Sequence, residues 1–417
     1  MGNPLAAAGV TSVDELAQAR GVREVLQFLT REKQWINELH LELCRIPAPT
    51  FLEGQRAEWM SAQFRLHGCE SQIDRAGNVV AFLDPESRGP YVALTAHLDT
   101  VLAPRTRDDI AVGSDGRFVG PGVSDNGAGL AALLALARGL KCAPPLSDLW
   151  SNLIFIANVG EEGEGNLSGM RHICRPAGLA RKVTCFLVLD GAGTEHITTQ
   201  ALGSRRFEVV FNGPGGHSWS DYGTGNPVHA LSRAIAEFTD VRLNGNPRSS
   251  VNVGIFEGGA SVNAIPSQAR AKIDIRSESD QKMDDLVAVL TAAVERAQNT
   301  ENERAMAGRI TGRIREIGAR PAGRLAEGAA VLEYLRAVDS HLGIRCHLDC
   351  ASTDANVPLS LGIPAISIGA GGQGGGAHTP QEWYLPERRD LALKRILLTL
   401  GLLLRDPSVA ESCLRRS

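Results

Sequence analysis

No run of lysines and arginines occurs in the 417 residues, and the formal net charge is −4. Nucleic-acid binding needs a clustered positive face, so no nucleic-acid partner is expected. No apolar run reaches the roughly 20 residues that a bilayer-spanning helix requires, so no membrane partner is expected. The N-terminus has no charged segment leading into an apolar one, so no signal peptide is read there. No CxxC pair is present among the eight scattered cysteines. Reduced, mostly buried thiols in a cytoplasmic protein fit that pattern. There is no internal repeat and no extended low-complexity segment. What remains is ordinary globular composition, 43% hydrophobic and 22% charged, in a chain long enough for two cores.

The clearest local signal is residues 152–168. Leu153 to Val159 is a short apolar run that reads as a buried strand. It ends at Gly160 and is followed by adjacent carboxylates, Glu161 and Glu162, in a glycine-rich loop. Neighbouring carboxylates repel unless one is protonated or a cation lies between them. Successive side chains of an extended segment point to opposite sides, so one glutamate can hold a metal while the other faces a substrate. Taken alone, the pair also fits a solvated acidic loop.

Along the chain, Ser12 to Glu15 has the pattern of a capping box. One amphipathic helix is predicted from about Val22 to Cys44, stopped by Pro47 and Pro49, and another over Arg56 to His67. Strands are predicted at Val79–Leu83, Tyr91–Ala96, Leu153–Val159 and Val183–Leu189, with a strongly apolar helix at Gly127–Leu140. Strands alternating with helices imply an α/β domain: a mostly parallel sheet with helices on both faces. Near Leu202 the pattern changes. Strands at 205–212, 251–257, 269–276 and 309–317, with helices at 226–238 and 280–298, make a βαββαβ (ferredoxin-like) block. Arg320 to Gly323 reads as a return linker. A helix at 327–342, strands at 345–348 and 364–368, and a final helix at 388–404 resume the first pattern. The expected organisation is a discontinuous domain, 1–200 and 320–417, with 201–319 inserted.

Five segments place a metal-type side chain at or after a strand end. They are His97 with Asp99, Asp125 ahead of a helix, Glu161 with Glu162, Asp190, and His378 beyond a glycine-rich stretch. The carboxyl ends of strands in open α/β sheets are where ligands bind. Singly, His97 and His378 are ordinary polar histidines, Asp125 a helix N-cap and Asp190 a turn residue. Their recurrence at strand ends argues for convergence instead. His97 and Asp99 share a face of an extended segment, so the Asp99 carboxylate is expected to accept the second ring N–H. Imidazoles mixed with carboxylates suit Zn²⁺, with Co²⁺ or Mn²⁺ as alternatives.

The segments His97–Thr100, Gly122–Gly127, Gly160–Asn166, Leu189–Gly191, Gly215–His217 and His378–Pro380 resemble those of the dinuclear-zinc exopeptidase and aminoacylase metallopeptidase family. Peptidase T, glutamate carboxypeptidase, acetylornithine deacetylase and succinyl-diaminopimelate desuccinylase belong to it. The resemblance runs from about residue 40 to the C-terminus, in the family's order and with its inserted lid domain. It implies a zinc-exopeptidase-like catalytic domain and two Zn²⁺ per subunit. It also implies that Asp125 bridges the metals, with His97 and Asp190 completing one site and Glu162 and His378 the other. Glu161 becomes the general base and Asp99 a supporting carboxylate, with a cis peptide after Asp125. Asn263 and Arg276 hold a substrate carboxylate, and His217 reaches across a homodimer formed by the inserted domain to stabilise an oxyanion. Glycines such as Gly371 and Gly372 would let backbone approach the substrate. The implied activity is hydrolysis of small peptides, with peptidase T sharing the aspartate at position 190. Hydrolysis of N-acyl amino acids is the alternative within the class, and a catalytically silent ligand-binding homodimer the alternative outside it.

Overall fold

The computed structural model describes residues 12–142, 147–243 and 245–414. The N-terminal residues searched for a signal peptide lie largely outside them. The chain divides into two compact units, one made of Met1–Gln200 and Arg324–Ser417, the other of Ala201–Gly323.

The first unit is built on four strands that are almost wholly apolar and buried: Leu153–Asn158, Tyr91–His97, Val183–Leu189 and Ala365–Ile368. They lie side by side in that order and are parallel. A strand buried on both faces has no polar side to alternate with, which is why these segments read as continuous apolar runs. Their register aligns the C-terminal ends: His97 pairs with Asn158, and Leu189 with Ile368. The sheet as a whole is mixed rather than mostly parallel. Val79–Phe82 adds antiparallel beside Leu153–Asn158, followed by Glu70–Ile73, and His196–Ala201 adds antiparallel beside Ala365–Ile368. The half-polar strands Glu70–Ile73 and His196–Ala201 carry no apolar run, so the sequence did not announce them.

Helix Gly127–Cys142 is apolar nearly all round and correspondingly buried. Leu130, Leu133, Leu134 and Leu136 have no exposure, and burying each such side chain contributes on the order of 1.5–3 kcal/mol. The predicted helix from Val22 to Cys44 is two helices, Arg20–Arg31 and Lys33–Cys44, broken at Glu32 where φ is −88° and ψ 24°. The break lets both pack on Gly127–Cys142. The capping box forms: Ser12 Oγ accepts from Glu15 N, and Glu15 Oε2 from Ser12 N. The glycine-rich stretch after residue 369 is not a plain loop. Gln373–Gly375 and Trp383–Leu385 form a hairpin, which pairs onward with Phe118–Val119 and Ala111–Val112.

The second unit is an antiparallel sheet ordered Ser249–Gly258, Gln268–Ser277, Gly203–Asn212, Thr311–Arg320. Helices Pro227–Thr239 and Asp280–Arg304 cover it. Phe207, Val209 and Phe211 alternate along one strand and enter a single core with Leu231, Phe238 and Leu290. Asn226 caps the first helix by accepting from Val228 N at 2.9 Å, with Pro227 in the first helical turn. Chain order is βαββαβ, the ferredoxin-like arrangement expected.

Candidate metal centre

Because the parallel strands end in register, the loops leaving them meet. His97 is the last residue of its strand and is 2% exposed. Its Nε2 lies 3.0 Å from Asp125 Oδ1 and 3.9 Å from Asp190 Oδ1. His378, at the head of the hairpin, places its Nε2 3.2 Å from Asp125 Oδ2 and 2.9 Å from Glu162 Oε1. The Asp125 carboxylate thus presents one oxygen to each imidazole. Ligand atoms of His97, Asp125 and Glu162 all lie within 4.8 Å of one another. Five side chains spread over 282 positions of sequence converge in the first unit.

The electrostatics match a cation cage. Burial opposes charge on His97, but the carboxylates of Asp125, Asp190 and Asp99 outweigh it and raise its pKa well above the ordinary value. The hydrogen bond to Asp125 raises His378 to about 9, against some burial and with help from Glu162. Burial opposes ionisation of Asp125, yet the two imidazoles hold its carboxyl far below the usual range. Burial pushes Glu162 up to about 7. In the metal-free chain, protons shared among these groups offset repulsion that a divalent cation would otherwise offset.

Each loop is held by groups outside the cage. Asp99 is fully buried. Its Oδ1 accepts from Glu161 N, and its Oδ2 from Glu162 N and Thr50 Oγ1, all at 2.9 Å. The partner of His97 Nδ1 is the backbone carbonyl of Asp99 at 2.9 Å, whereas the Asp99 carboxylate lies 3.6 Å away. The carboxylate therefore aims the two glutamates, and the expectation that it accepts the ring N–H is corrected. Glu161 is itself 5% exposed. Gly160, at φ +65°, makes the turn that precedes it, and a Cβ there would lie 2.1 Å from Ser168 Oγ.

The peptide Asp125–Asn126 is cis. Asp125 is not the helix cap. Asn126 Oδ1 accepts from Gly129 N at 3.2 Å and from Gly191 N at 3.3 Å, and Asn126 Nδ2 donates to Leu189 O. That leaves the Asp125 carboxylate to the histidines and ties its loop to the one carrying Asp190. Buried Arg56 donates to Ile46 O and Leu98 O, holding the backbone beside His97. Glu53 Oε1 accepts from Gly160 N and Phe51 N. Arg56, Glu53 and Thr50 were not marked by the sequence pattern: Arg56 and Glu53 act on backbone atoms, and Thr50 on the Asp99 carboxylate.

A cavity of about 600 Å³ opens beside Asp125 and Asp190, bordered also by Ser124, His196, Gln373 and Trp383. Gly372 borders it too, but its absent Cβ serves packing: a Cβ would lie 2.5 Å from Tyr384, and one on Gly371 2.4 Å from Ala392. Close approach to the protein's own side chains thus requires glycine at both positions.

The remaining residues lie in the second unit. His217 is exposed, in a short strand facing Ala264. Its Nδ1 accepts from Trp219 N at 3.2 Å and Ser220 N at 3.4 Å, so the neutral ring carries its proton on Nε2. Asn263, exposed, accepts from Ser218 N through its backbone carbonyl. Arg276 is half-buried and donates Nε to Asp274 Oδ2 at 2.7 Å.

Residues 200–302 match the family model of the peptidase dimerisation domain, and residues 78–220 that of peptidase family M28. A probable carboxypeptidase of Aspergillus fumigatus is 30% identical over 208 residues, 46% of this chain and 46% of its own length. The cytosol non-specific dipeptidase of Escherichia coli is 27% identical over 304 residues, 63% of this chain and 57% of its own. The chain thus spans about half the length of these curated relatives. A solved tripeptidase of Staphylococcus aureus superposes with a TM-score of 0.72 at 19% identity, covering 90% of this chain and 99% of that one. No helix among the described residues is long and apolar enough to cross a membrane.

Proposed function

We propose that the chain belongs to the exopeptidase and aminoacylase metallopeptidase family that its motifs resemble, and that it hydrolyses amide bonds in small peptides. The observation that carries this reading is the Asp125 carboxylate set between two imidazoles, with Glu162 and Asp190 as their further partners. Nitrogen and carboxylate donors in this mixture fit Zn²⁺, with Co²⁺ or Mn²⁺ as alternatives. His97, Asp125 and Asp190 would hold one ion, and Asp125, Glu162 and His378 a second. When bound, such a pair supplies Lewis acidity and a water far more acidic than bulk water.

The chain's own groups do the rest. Glu161, held through its N–H by Asp99, takes a proton from the attacking water and returns it to the leaving amine. Asp99 keeps Glu161 and Glu162 in their separate roles by binding both backbones. His217, with its proton on Nε2, is equipped to donate to the developing oxyanion of a partner subunit's substrate. Asn263 and Arg276 bind the substrate carboxylate, where a guanidinium offers a two-pronged contact. A homodimer through the second unit belongs to this reading. Its edge strand Ser249–Gly258 is largely exposed, including Ile255 and Phe256, and an unpaired edge invites another strand. A cytoplasmic location also belongs to it, supported by the free, buried thiols of Cys44, Cys69 and Cys185.

The test is a hydrolysis screen of di- and tripeptides beside N-acyl amino acids, with metal-loaded and chelator-treated protein. Metal-dependent peptide cleavage is expected. Cleavage of N-acyl amino acids alone would transfer the chain to the aminoacylases, and no turnover with metal bound would make it a silent binder.

A further inference from the structure

Asp125 is the hinge of the candidate centre, yet the loop that carries it has no helix or strand between Gly120 and Asn126. Something else must hold its backbone. Three of its N–H groups converge on one buried carboxylate. Glu382 Oε2 accepts from Gly122 N at 2.8 Å, and Oε1 from Ser124 N at 2.7 Å and Asp125 N at 2.8 Å. Glu382 is 2% exposed. Its backbone works in the same direction. Its carbonyl accepts from Gly120 N at 2.9 Å, and its N–H donates to Thr379 O, next to His378. One residue thus joins the Asp125 loop to the hairpin that presents His378.

We propose that Glu382 is a positioning residue for the metal centre: it sets the Asp125 backbone so that one carboxylate oxygen faces His97 and the other His378. The proposal rests on the metal-site reading above. Only a carboxylate suits the place. Converging backbone N–H groups form an anion-binding concavity, and two oxygens are needed to accept from three donors at these distances. A glutamine would keep one acceptor oxygen and turn its NH₂ toward an N–H, donor against donor. Other support for the loop engages its carbonyls: buried His40 Nε2 contacts Val123 O at 2.8 Å, and Cys44 Sγ and Gly127 N donate to Gly122 O. Those contacts leave the direction of the Gly122, Ser124 and Asp125 N–H groups to Glu382. Groups that orient metal ligands from outside typically contribute 10–100-fold in metal affinity.

The experiment measures Zn²⁺ affinity by chelator competition for wild type, Glu382→Gln, Glu382→Asp and Asp125→Ala, with melting of each metal-free protein alongside. Glu382→Gln is expected to bind Zn²⁺ about 10–100-fold more weakly while still melting cooperatively without metal. Its turnover should recover toward wild type at saturating Zn²⁺, which a general loss of structure would not allow. Glu382→Asp keeps the charge but is shorter by one methylene; it should weaken binding too, and it decides the matter if the glutamine variant does not fold. Wild-type affinity in both variants overturns the assignment. Failure of the wild type itself to bind Zn²⁺, or wild-type binding in Asp125→Ala, would instead remove the metal-site reading and the proposal with it.

Discussion

Replacing Asp99 by asparagine separates two jobs that a carboxylate near a metal-binding histidine can have. The His97 ring is held by the Asp99 backbone carbonyl, and asparagine keeps that atom. What changes is the support of the loop beyond Gly160. Asp99 accepts from Glu161 N, Glu162 N and Thr50 Oγ1, each at 2.9 Å. Asparagine has a single acceptor oxygen, so either Glu161 N–H or the pair formed by Glu162 N–H and Thr50 loses its partner. The two-donor side is the better place for that oxygen, which leaves Glu161 N–H facing an NH₂. A hydrogen bond to a charged acceptor contributes about 1.5–3 kcal/mol. If that support is what holds Glu161 in its reactive position, kcat/KM should fall roughly 10- to 150-fold, at about 1.36 kcal/mol per tenfold. The assay is steady-state hydrolysis of the best peptide from the screen at saturating Zn²⁺, with metal content measured on the same sample. Metal content should stay near wild type, because His97 keeps its partner. Unchanged kcat/KM would refute the argument. So would loss of metal as complete as in His97→Ala, since the carboxylate would then be acting through the imidazole after all.

Other outcomes follow from the same geometry. Glu161→Ala should lower kcat by about 10²–10⁴ with metal content retained; wild-type turnover in that variant would remove Glu161 as the base. In the metal-free protein, the charged His378 stabilises the fold fully below about 6.5, and that contribution disappears as pH rises through about 9. Glu162, raised to about 7 from 4.5, adds a penalty for its ionisation over the interval between those values. Melting temperature of the metal-free protein should therefore fall from pH 5 to pH 9, while zinc-loaded protein, whose cations replace these protons, shows a flatter profile; parallel profiles would contradict the picture. Zn²⁺ uptake near pH 7 should release protons, measurable as buffer-dependent calorimetric heat, and equal heats in all buffers would count against it. Phe256→Lys, on the exposed edge strand, should shift the protein toward monomer in light scattering, and an unchanged dimer would place the interface elsewhere.

Much of this protein could be read along the chain. Continuous apolar runs marked the four central strands, and the residues after their ends marked the side chains that gather, because a parallel sheet sends all its strand ends to one side. The alternation and turn residues after Leu202 marked the ferredoxin-like block. The half-polar edge strands, the break at Glu32 and the hairpin inside residues 373–385 carried no such periodicity. What the supporting groups bind was silent for a deeper reason. Asp99 binds backbone N–H groups 62 and 63 positions away, and Glu382 binds others 257 to 260 positions away. A backbone N–H is the same in every residue type but proline, so its partner leaves no mark in the local sequence. The chain order therefore determined which side chains could meet. Only the packed tertiary structure decided that a buried glutamate would hold Asp125, that Asn126 would take the helix cap, and that a carbonyl would orient His97. A buried N–H must find an acceptor, and the nearest one in space is chosen by the fold.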